Sequence, residues 1–369
     1  MSSPVSAAHS SGPDRFHLLD GLRGLAAFAV ILDHVPSATL AALTPGRYLA
    51  VDFFFVLSGY VLAHAYGRAL ADGLSPLAFM RMRIVRLYPL YLLGLMIALA
   101  VLLAQRVAGW TDLPWSEIAL VAGAGFLFLP MPPVFGWTTA HLYPLNGPAW
   151  SLFFELAANL AYALVARFLT PAVFAVLLPV AGIATVLGVV NHDLPGPGWL
   201  WPHFGTGLAR VVFGFFAGVC LYRLRDRFAA PALPGWIPVL LFAAMVMVPA
   251  PESVRKAFDA AAAILVAPLV VWLGASAKIP RLYAAMSDRL GQLSFGVYIL
   301  HVPIMAALGL AMTVAGWSPP FGIVHVLLVA ALAAAGAALA DRFWDRPLRR
   351  LLSLGGSAAL RRLAPDVRG

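Results

Sequence analysis

Two ionisable residues, Arg23 and His34, lie eleven positions apart in the apolar stretch Leu18–Pro36. In an α-helix this spacing is about three turns plus ~20°, so both side chains would project from nearly the same stripe, about 16 Å apart along the axis. Ionisable groups are costly inside a membrane and usually mark a functional path. Histidine titrates near physiological pH, so His34 could act as a general base or could be a satisfied packing residue.

Two carboxylates share this stretch. Asp20 precedes Arg23 by three residues, a spacing that favours an ion pair and gives the arginine a structural interpretation. Asp33 is adjacent to His34 and therefore points about 100° away, which makes it a poor orienting partner. The partner of the imidazole must come from another part of the chain.

Glu155 interrupts an apolar segment and is the most anomalous residue of the sequence. An unpaired carboxylate in lipid would be protonated or bound to a cation, so we expect Glu155 to meet His34 or an arginine. Arg210 is one candidate partner, although it could equally be an interface residue whose guanidinium reaches the headgroups. Ser151 lies four residues before Glu155, on the same helical face. A purely structural role for Glu155 is the alternative.

Arg83 and Arg86 lie at the start of the third apolar segment. Residues three apart share one face of a helix, so the two guanidinium groups could together grip an anionic group. They could also be ordinary anchors that touch lipid phosphates. The spacing alone does not decide between a phosphate clamp for a soluble cofactor and a lipid contact.

A further polar stripe is formed by Ser294, Tyr298 and His301, which recur at spacings of four and three. Interhelical hydrogen bonding is the structural interpretation of this stripe. The Gly214-x-x-x-Gly218 pattern predicts a close contact between two helices, a weak and common signal.

These residues must be positioned by membrane helices, because 62% of the chain is hydrophobic and 11% is charged, against about 45–50% and ~25% in soluble domains. Eleven apolar segments are of near-spanning length. They cover 18–36, 48–66, 84–104, 116–131, 149–169, 171–190, 205–222, 236–250, 257–275, 293–314 and 321–340. We therefore predict an all-α polytopic transmembrane bundle with about ten crossings. The short segment 116–131 is predicted to be re-entrant or interfacial, since an uncharged aromatic loop follows it.

The formal net charge of +9 is concentrated in connections that we expect to be cytoplasmic, around 68–86, 223–227, 278–289 and 342–362. This distribution predicts that both termini are cytoplasmic, with tails at 1–15 and 351–369 and a single membrane domain at 16–350. Basic loops explain the charge without nucleic-acid binding. The sequence has no CxxC, HExxH, GxxxxGK or GxGxxG pattern, so metal, nucleoside triphosphate and dinucleotide chemistry lack support.

Several short motifs, in order, resemble those of the acyltransferase type 3 family, whose members are integral membrane proteins that modify bacterial surface glycans and natural products. The resemblance covers about residues 16–350. The matching motifs are Asp20–Ala27 with the Arg23–His34 spacing, Phe54–Tyr60, Arg83–Arg86, Trp150–Leu152 with Glu155, and Ser294–Tyr298 with Leu300–His301. Phe153 and Phe154 depart from the small or β-branched residues usual before the glutamate, the aromatic residues usual after it are missing, and Asp345 stands where family members often have glutamate.

The resemblance implies transfer of an acyl group, usually acetyl, from cytoplasmic acyl-CoA to a hydroxyl at the outer face of a bacterial inner membrane. The acceptor would be a glycan or a glycosylated or lipid-linked molecule, membrane lipid would surround the chain, and homo-oligomerisation is left open. Arg83 and Arg86 would hold the CoA phosphates and Arg23 would face the inner mouth. His34 would deprotonate the acceptor or carry the acyl group itself.

Within the same resemblance, Glu155 would orient or charge-balance His34, and Tyr298 or Ser151 could stabilise the oxyanion. Asp20, Arg210 and His301 are supporting candidates. The alternative function is a proton-coupled transporter in which Arg23, His34 and Glu155 form a relay.

Overall fold

A computed structural model describes residues 16–131, 140–317 and 322–354. Within these ranges every regular element is helical, and the strand-like pairings are two isolated backbone bridges. The all-α prediction is confirmed. The predicted N-terminal tail, and the predicted C-terminal tail beyond residue 354, lie outside the described residues.

Fourteen α-helices make up the described chain, and ten of the eleven predicted apolar segments each overlap a single helix, whereas the segment 257–275 covers parts of α10 and α11 and the π-helical turn between them. Their bounds are α1 His17–His34, α2 Ala38–Leu43, α3 Ala50–Ala71, α4 Pro76–Val107, α5 Trp115–Phe126, α6 Ala149–Val165, α7 Pro171–Asn191, α8 Phe204–Leu224, α9 Trp236–Met247, α10 Glu252–Ala261, α11 Ala267–Ser276, α12 Arg281–Val314, α13 Ile323–Ala340 and α14 Arg346–Leu354. Short π-helical segments join α10 to α11 and α13 to α14.

Among the residues that the structure describes, eight helical segments are long and apolar enough to cross a membrane, and α5 and α9 are shorter apolar helices of 12 residues. A helix of that length rises about 18 Å, less than the ~30 Å of a hydrocarbon core. The 18-residue α1 holds Asp20, Arg23 and Asp33 and is therefore less apolar than the eight, although most of its side chains are buried. The prediction of a polytopic helical bundle is confirmed.

Neighbouring helices define two ends of the bundle. Helices α1 and α12 run parallel, since His17 bonds Asp288 near their starts and His34 meets His301 further along. Helix α4 runs in the same direction, because Leu90 approaches Gly296 and, one turn further along both helices, Gly94 approaches Ile299. We call the end where α1, α4 and α12 begin the basic end, and the opposite one the far end.

Most basic residues of the connections lie at the basic end, as the positive-inside rule expects of a cytoplasmic side. Among them are Arg68, Arg81, Arg223, Lys278 and Arg346. The distribution of charge in the folded chain thus matches the distribution expected from the sequence.

Helix α5 enters the bundle from the far end and stops about half way. The hydroxyl of Tyr88 donates to the carbonyl oxygen of Phe126 at 2.7 Å, and that of Tyr91 donates to Gly125 at 2.8 Å. Both tyrosines lie near the middle of the 32-residue α4. This is the geometry predicted for a re-entrant segment.

Helices α3 and α8 pack backbone against backbone. A Cβ atom on Gly59 would lie 1.9 Å from the carbonyl oxygen of Phe215, and one on Gly218 would lie 2.0 Å from that of Val56. Only glycine permits such an approach, because any side chain would force the helices apart. The contact face predicted from Gly214 and Gly218 is confirmed.

Candidate active site

A cavity of about 290 Å³ is lined by residues of α1, α3, α4, α6 and α12. We call it the arginine cavity. It contains six of the predicted site residues, which are Arg23, Arg83, Arg86, Ser151, Glu155 and Tyr298. The fold therefore brings together side chains that are up to 275 positions apart, from Arg23 to Tyr298.

Arg23 is held in place by two acceptors. Its Nη2 atom lies 2.8 Å from a carboxylate oxygen of Asp20, one helical turn earlier, and donates to the carbonyl oxygen of Gly291 at 2.8 Å. The predicted Asp20–Arg23 ion pair is confirmed. The second bond ties α1 to α12 beside the cavity.

Glu155 is paired with Arg83. The Nη2 atom of Arg83 donates to the Oε1 atom of Glu155 at 3.1 Å, and Ser58 Oγ donates to the same oxygen at 2.7 Å. The prediction that Glu155 meets an arginine is confirmed, and the predicted contact with His34 is wrong. The sequence did not distinguish between His34 and an arginine as the partner of Glu155, because the partner depends on which helix packs against α6 at that height. The hydrogen bond from Ser58 was not predicted from the sequence, because a serine beside a glycine in an aromatic run is typical of helix packing.

Arg210 is also not the partner of Glu155. It binds Asp52 through two parallel bonds, Nε to Oδ1 at 2.9 Å and Nη2 to Oδ2 at 2.7 Å, and donates to the carbonyl oxygen of Pro197 at 2.6 Å. Both side chains are almost fully buried. Helices α3 and α8 run parallel and start together, which places this pair at one height.

Arg86 differs from the other arginines of the cavity. Among the residues that the structure describes, it has no hydrogen-bond or ion-pair partner, and its side chain is exposed to the cavity. It lies in the electrostatic field of Arg23, Arg83 and Arg349, with Asp345 as the nearby carboxylate. A cation surrounded by other cations is a natural site for an anionic group.

Arg349 is a site residue that sequence reasoning missed. Its Nε atom donates to Asp345 at 2.8 Å, and Asp345 is almost fully buried. The aspartate belongs to the π-helical segment Asp341–Asp345, and such segments are frequent at functional sites. The family-like ending of the sequence pointed to this region, but not to an electrostatic interaction between Arg349 and Arg86.

The deep end of the arginine cavity is closed by aromatic and hydroxyl groups. Ser151 Oγ lies 2.5 Å from the hydroxyl of Tyr298, and both hydroxyls approach the carbonyl oxygen of Pro148, at 3.0 and 3.3 Å. The ring of Phe54 packs edge-on against that of Tyr298 with centroids 5.4 Å apart.

His34 is partnered by His301. Its Nδ1 atom lies 2.9 Å from the carbonyl oxygen of Val30 and 3.3 Å from Nε2 of His301, whose own Nδ1 lies 2.7 Å from the carbonyl oxygen of Tyr298. A carbonyl oxygen only accepts, so in the neutral rings each Nδ1 must carry the proton. The network therefore leaves a free lone pair on Nε2 of His34. A base or a nucleophile reacts through such a lone pair.

His34 does not line the arginine cavity but lies beyond its deep end. His301 follows Tyr298 by three residues, which is about 4.5 Å along α12. Because the imidazole of His34 lies at the level of His301, it is roughly one helical turn beyond the closed end of the arginine cavity. Asp33 turns away as predicted and binds Arg47 at 3.1 Å.

In the described ranges, no group of three or more His, Cys, Asp or Glu side chains is arranged to hold a metal ion. The site instead consists of a positively charged cavity, a partition formed by Phe54, Ser151 and Tyr298, and an imidazole beyond that partition. Such an arrangement can bind an anionic molecule at one end and move a proton at the other.

Comparison with known proteins shows which family the chain resembles. The family model described as Acyltransferase domain, Acyl_transf_3, matches residues 16–341. The chain is 28% identical to acyltransferase MdmB from Streptomyces mycarofaciens, with 92% of each chain covered. It is 42% identical over 162 residues to Protein 2 in picA locus from Rhizobium radiobacter, which covers 42% of this chain and 83% of that protein. No solved structure matches the chain.

The family match spans α1 to α13 and includes every residue of the arginine cavity as well as both histidines. The chain belongs to the acyltransferase type 3 family of membrane acyltransferases.

Proposed function

We propose that the chain transfers an acyl group, normally acetyl, from cytoplasmic acyl-CoA to a hydroxyl of a glycan or of a glycosylated or lipid-linked acceptor at the outer face of the bacterial inner membrane. The observation that carries this proposal is Arg86, a cation with no partner among the described residues, at a cavity whose deep end lies next to His34. The basic end would face the cytoplasm, with both termini on that side.

Donor binding begins at the arginines. Arg86 binds the CoA phosphates directly, because no carboxylate in the described ranges engages its guanidinium. Arg23 and Arg349 add positive charge at the same place. Arg83 contributes its charge while it stays bonded to Glu155, so Glu155 acts by positioning Arg83.

The acyl arm then extends along the cavity towards Tyr298. The Tyr298 and Phe54 rings close the deep end, and the thioester reaches His34 when the Tyr298 side chain rotates away from Ser151. A tyrosine hydroxyl freed in this way can donate to the oxygen of the thioester carbonyl as negative charge develops on it.

At His34, Nε2 removes the proton of the acceptor hydroxyl, and the oxygen attacks the thioester carbonyl carbon. The carbon–sulfur bond breaks, and the CoA thiolate takes the proton from the imidazolium. In the covalent variant of this mechanism, Nε2 attacks the carbonyl carbon first and CoA leaves as the thiolate. The acceptor oxygen then attacks the acyl carbon, the carbon–nitrogen bond to Nε2 breaks, and the hydroxyl proton passes to the CoA thiolate. Both variants require the Nδ1–H tautomer that His301 and Val30 favour.

The transporter alternative has weaker support. A proton relay needs Arg23, His34 and Glu155 in one chain of contacts, whereas each has a separate partner, Asp20, His301 and Arg83 respectively. The family match adds to the case for acyl transfer.

The experiment uses membranes from a strain that lacks the gene, with and without the restored wild-type chain, incubated with [1-¹⁴C]acetyl-CoA. Glycan, lipid and secreted fractions are then searched by mass spectrometry for a labelled product that carries one additional acetyl group. We expect such a product only with the restored chain. Restored membranes that neither bind acetyl-CoA nor form any acetylated product would disprove the proposal.

A further inference from the structure

A second cavity, of about 490 Å³, lies at the far end of the bundle and has no role in the mechanism above. It is bounded by the starts of α3, α8 and α10 and by the end of α7 with the loop after it. We call it the far-end cavity. Its volume lies within the range of small-molecule binding sites. Arg255, near the start of α10, is part of its wall and indicates what the cavity can bind.

One edge of the Arg255 guanidinium is held in place by other side chains. Its Nε atom lies 3.0 Å from Oδ1 of Asp259 and donates to the hydroxyl of Tyr48 at 3.1 Å. That hydroxyl in turn donates to Oδ2 of Asp259 at 2.5 Å. The guanidinium carbon also lies 5.5 Å from the centre of the Tyr48 ring and 5.2 Å from that of Phe258, within the range of cation–π contacts. These contacts fix the orientation of the guanidinium.

The other edge of the guanidinium has its donors unused. The Nη1 and Nη2 atoms of Arg255 are both buried, and neither has a hydrogen-bond partner within the described part of the chain. Buried donors of an ion cost free energy when they stay unbonded. The two Nη groups form a planar fork that matches two oxygens of an oxyanion. An oxyanion can bind both without breaking the ion pair with Asp259, because that pair uses Nε.

The buried carboxylates of the cavity are already engaged. Both oxygens of Asp52 accept from Arg210, and those of Asp259 face Tyr48 and Arg255. A ligand that reaches the Nη atoms must therefore supply acceptors. Glu252 lies three residues before Arg255 and opposes an anion, but its side chain is exposed, and water weakens the repulsion.

Lys256 gives the cavity a second available cation. Its Nζ atom bonds Asp193 at 2.9 Å and the carbonyl oxygen of Val190 at 3.1 Å. The Asp193 side chain is 97% exposed, so this pair contributes at most about 1 kcal/mol. The ammonium can therefore turn to a ligand at little cost. A phosphate has enough oxygens for the Arg255 fork and for Lys256, whereas a carboxylate uses both of its oxygens on the fork.

The far-end cavity is separate from the phosphate clamp of the arginine cavity. Arg47, in its wall, is bonded to Asp33, which lies ten residues after Arg23 in α1, about 15 Å along the axis. Arg255 lies less than one turn inside the candidate membrane span Glu252–Ser276. The ends of such spans lie near the level of the lipid headgroups.

We infer that the far-end cavity binds a phosphate group, which accepts hydrogen bonds from both Nη atoms of Arg255 and from Lys256. The phosphate belongs either to a lipid headgroup or to a soluble phosphate ester. The inference does not rest on the proposed function, because binding requires no acyl-CoA.

The experiment is equilibrium dialysis of ³²P-labelled inorganic phosphate with the full chain in dodecyl maltoside micelles, which contain no phosphate. The chain carries Arg86→Ala throughout, so that binding in the arginine cavity is weakened. Arg255→Lys keeps a charge beside Asp259 but removes the fork, and it should weaken phosphate binding about tenfold. Lys256→Gln should weaken binding about threefold, and Glu252→Gln should strengthen it about twofold, because it removes a like charge.

Arg106→Lys is the matched control. Arg106 lies in the last turn of α4, at the same end of the bundle but outside the cavity, and its guanidinium packs over the Trp115 ring. This variant should bind phosphate as its parent chain does. An unchanged phosphate affinity in Arg255→Lys would overturn the inference. Equal affinities in Lys256→Gln and Glu252→Gln would also overturn it, and this second comparison uses two exposed positions that leave the fold intact.

Competition experiments separate the sources of the phosphate. Displacement of the label by dihexanoylphosphatidylglycerol at lower concentrations than by glycerol 3-phosphate would support a lipid headgroup, and the reverse order would support a soluble ester. Displacement by acetate at lower concentrations than by either would overturn the inference. CoA binding, measured in the chain with Arg86 intact, reports on the proposed function, so the failure of one proposal is distinguishable from the failure of the other.

Discussion

The Nε2 atom of His301 lies 3.3 Å from the Nδ1 atom of His34, and the two rings meet edge to face with centroids 4.9 Å apart. Because His301 donates its own Nδ1–H to the carbonyl oxygen of Tyr298, its Nε2 can accept the proton of His34. The pair thus leaves Nε2 of His34 unprotonated. A histidine of α12, rather than a carboxylate, orients the candidate base.

We expect His34→Ala to abolish acyl transfer while the protein still inserts in the membrane and binds acyl-CoA. The reason is that the substitution removes the base and leaves the arginines at the other end of the cavity intact. Labelled acetyl transfer and CoA binding measure the two properties. His325→Ala, in membrane helix α13, is the matched control and should stay active. Turnover in His34→Ala would remove this residue from the mechanism.

We expect His301→Ala to lower kcat about 10- to 100-fold with little change in the KM for acyl-CoA, because the tautomer of His34 is no longer fixed. His301→Asn should recover part of this loss, since its amide can donate to Tyr298 and accept from His34. The pH dependence of kcat should shift in the alanine variant and return towards that of the wild type in the asparagine variant. Equal activity of both variants would assign His301 to packing alone.

We expect Arg86→Ala to raise the KM for acyl-CoA about 10- to 100-fold, because it removes the unpaired cation that binds phosphate. The value of kcat should change little. Arg81→Ala is the control, since Arg81 donates to the carbonyl oxygen of Leu352 and does not line the cavity. An unchanged dependence on acyl-CoA would make Arg86 a lipid anchor.

We expect Glu155→Gln to lower the free energy of unfolding by about 1–3 kcal/mol, because it removes the charge that partly buried Arg83 faces. The pH dependence of kcat should stay that of the wild type, since Glu155 contacts Arg83 and Ser58 rather than His34. Thermal unfolding measures the stability of the variant, and a pH–rate profile measures the pH dependence of its kcat. A shifted profile with unchanged stability would indicate that Glu155 acts directly on the imidazole of His34.

We expect Gly59→Ala to destabilise the bundle by about 1–3 kcal/mol, because the new methyl group would overlap the carbonyl oxygen of Phe215. The separation of α3 from α8 should also weaken the Asp52–Arg210 pair. Gly123→Ala, in α5, is the control, since a Cβ atom there meets nothing within 4 Å. That variant should be as stable as the wild type or slightly more stable.

The contacts between helices show where sequence reasoning reached its limit. The Asp20–Arg23 pair was predictable because both residues lie on one helix, where spacing fixes direction. The partners of Glu155, Arg210 and His34 lie 72, 158 and 267 positions away. Spacing carries no information about contacts of that kind.

The sequence by itself determined the class of protein. Its hydrophobic content requires a membrane bundle, its basic loops indicate an orientation, and its motifs point to the acyltransferase type 3 family and to the arginines, His34 and Glu155. The tertiary structure decided which charges neutralise each other, because that depends on the parallel packing of α1 on α12 and of α3 on α8. The contact of α4 with α6 bonds Arg83 to Glu155, and the packing of α1 on α12 brings His301 against His34. Within the described part of the chain, Arg86 is left without a partner.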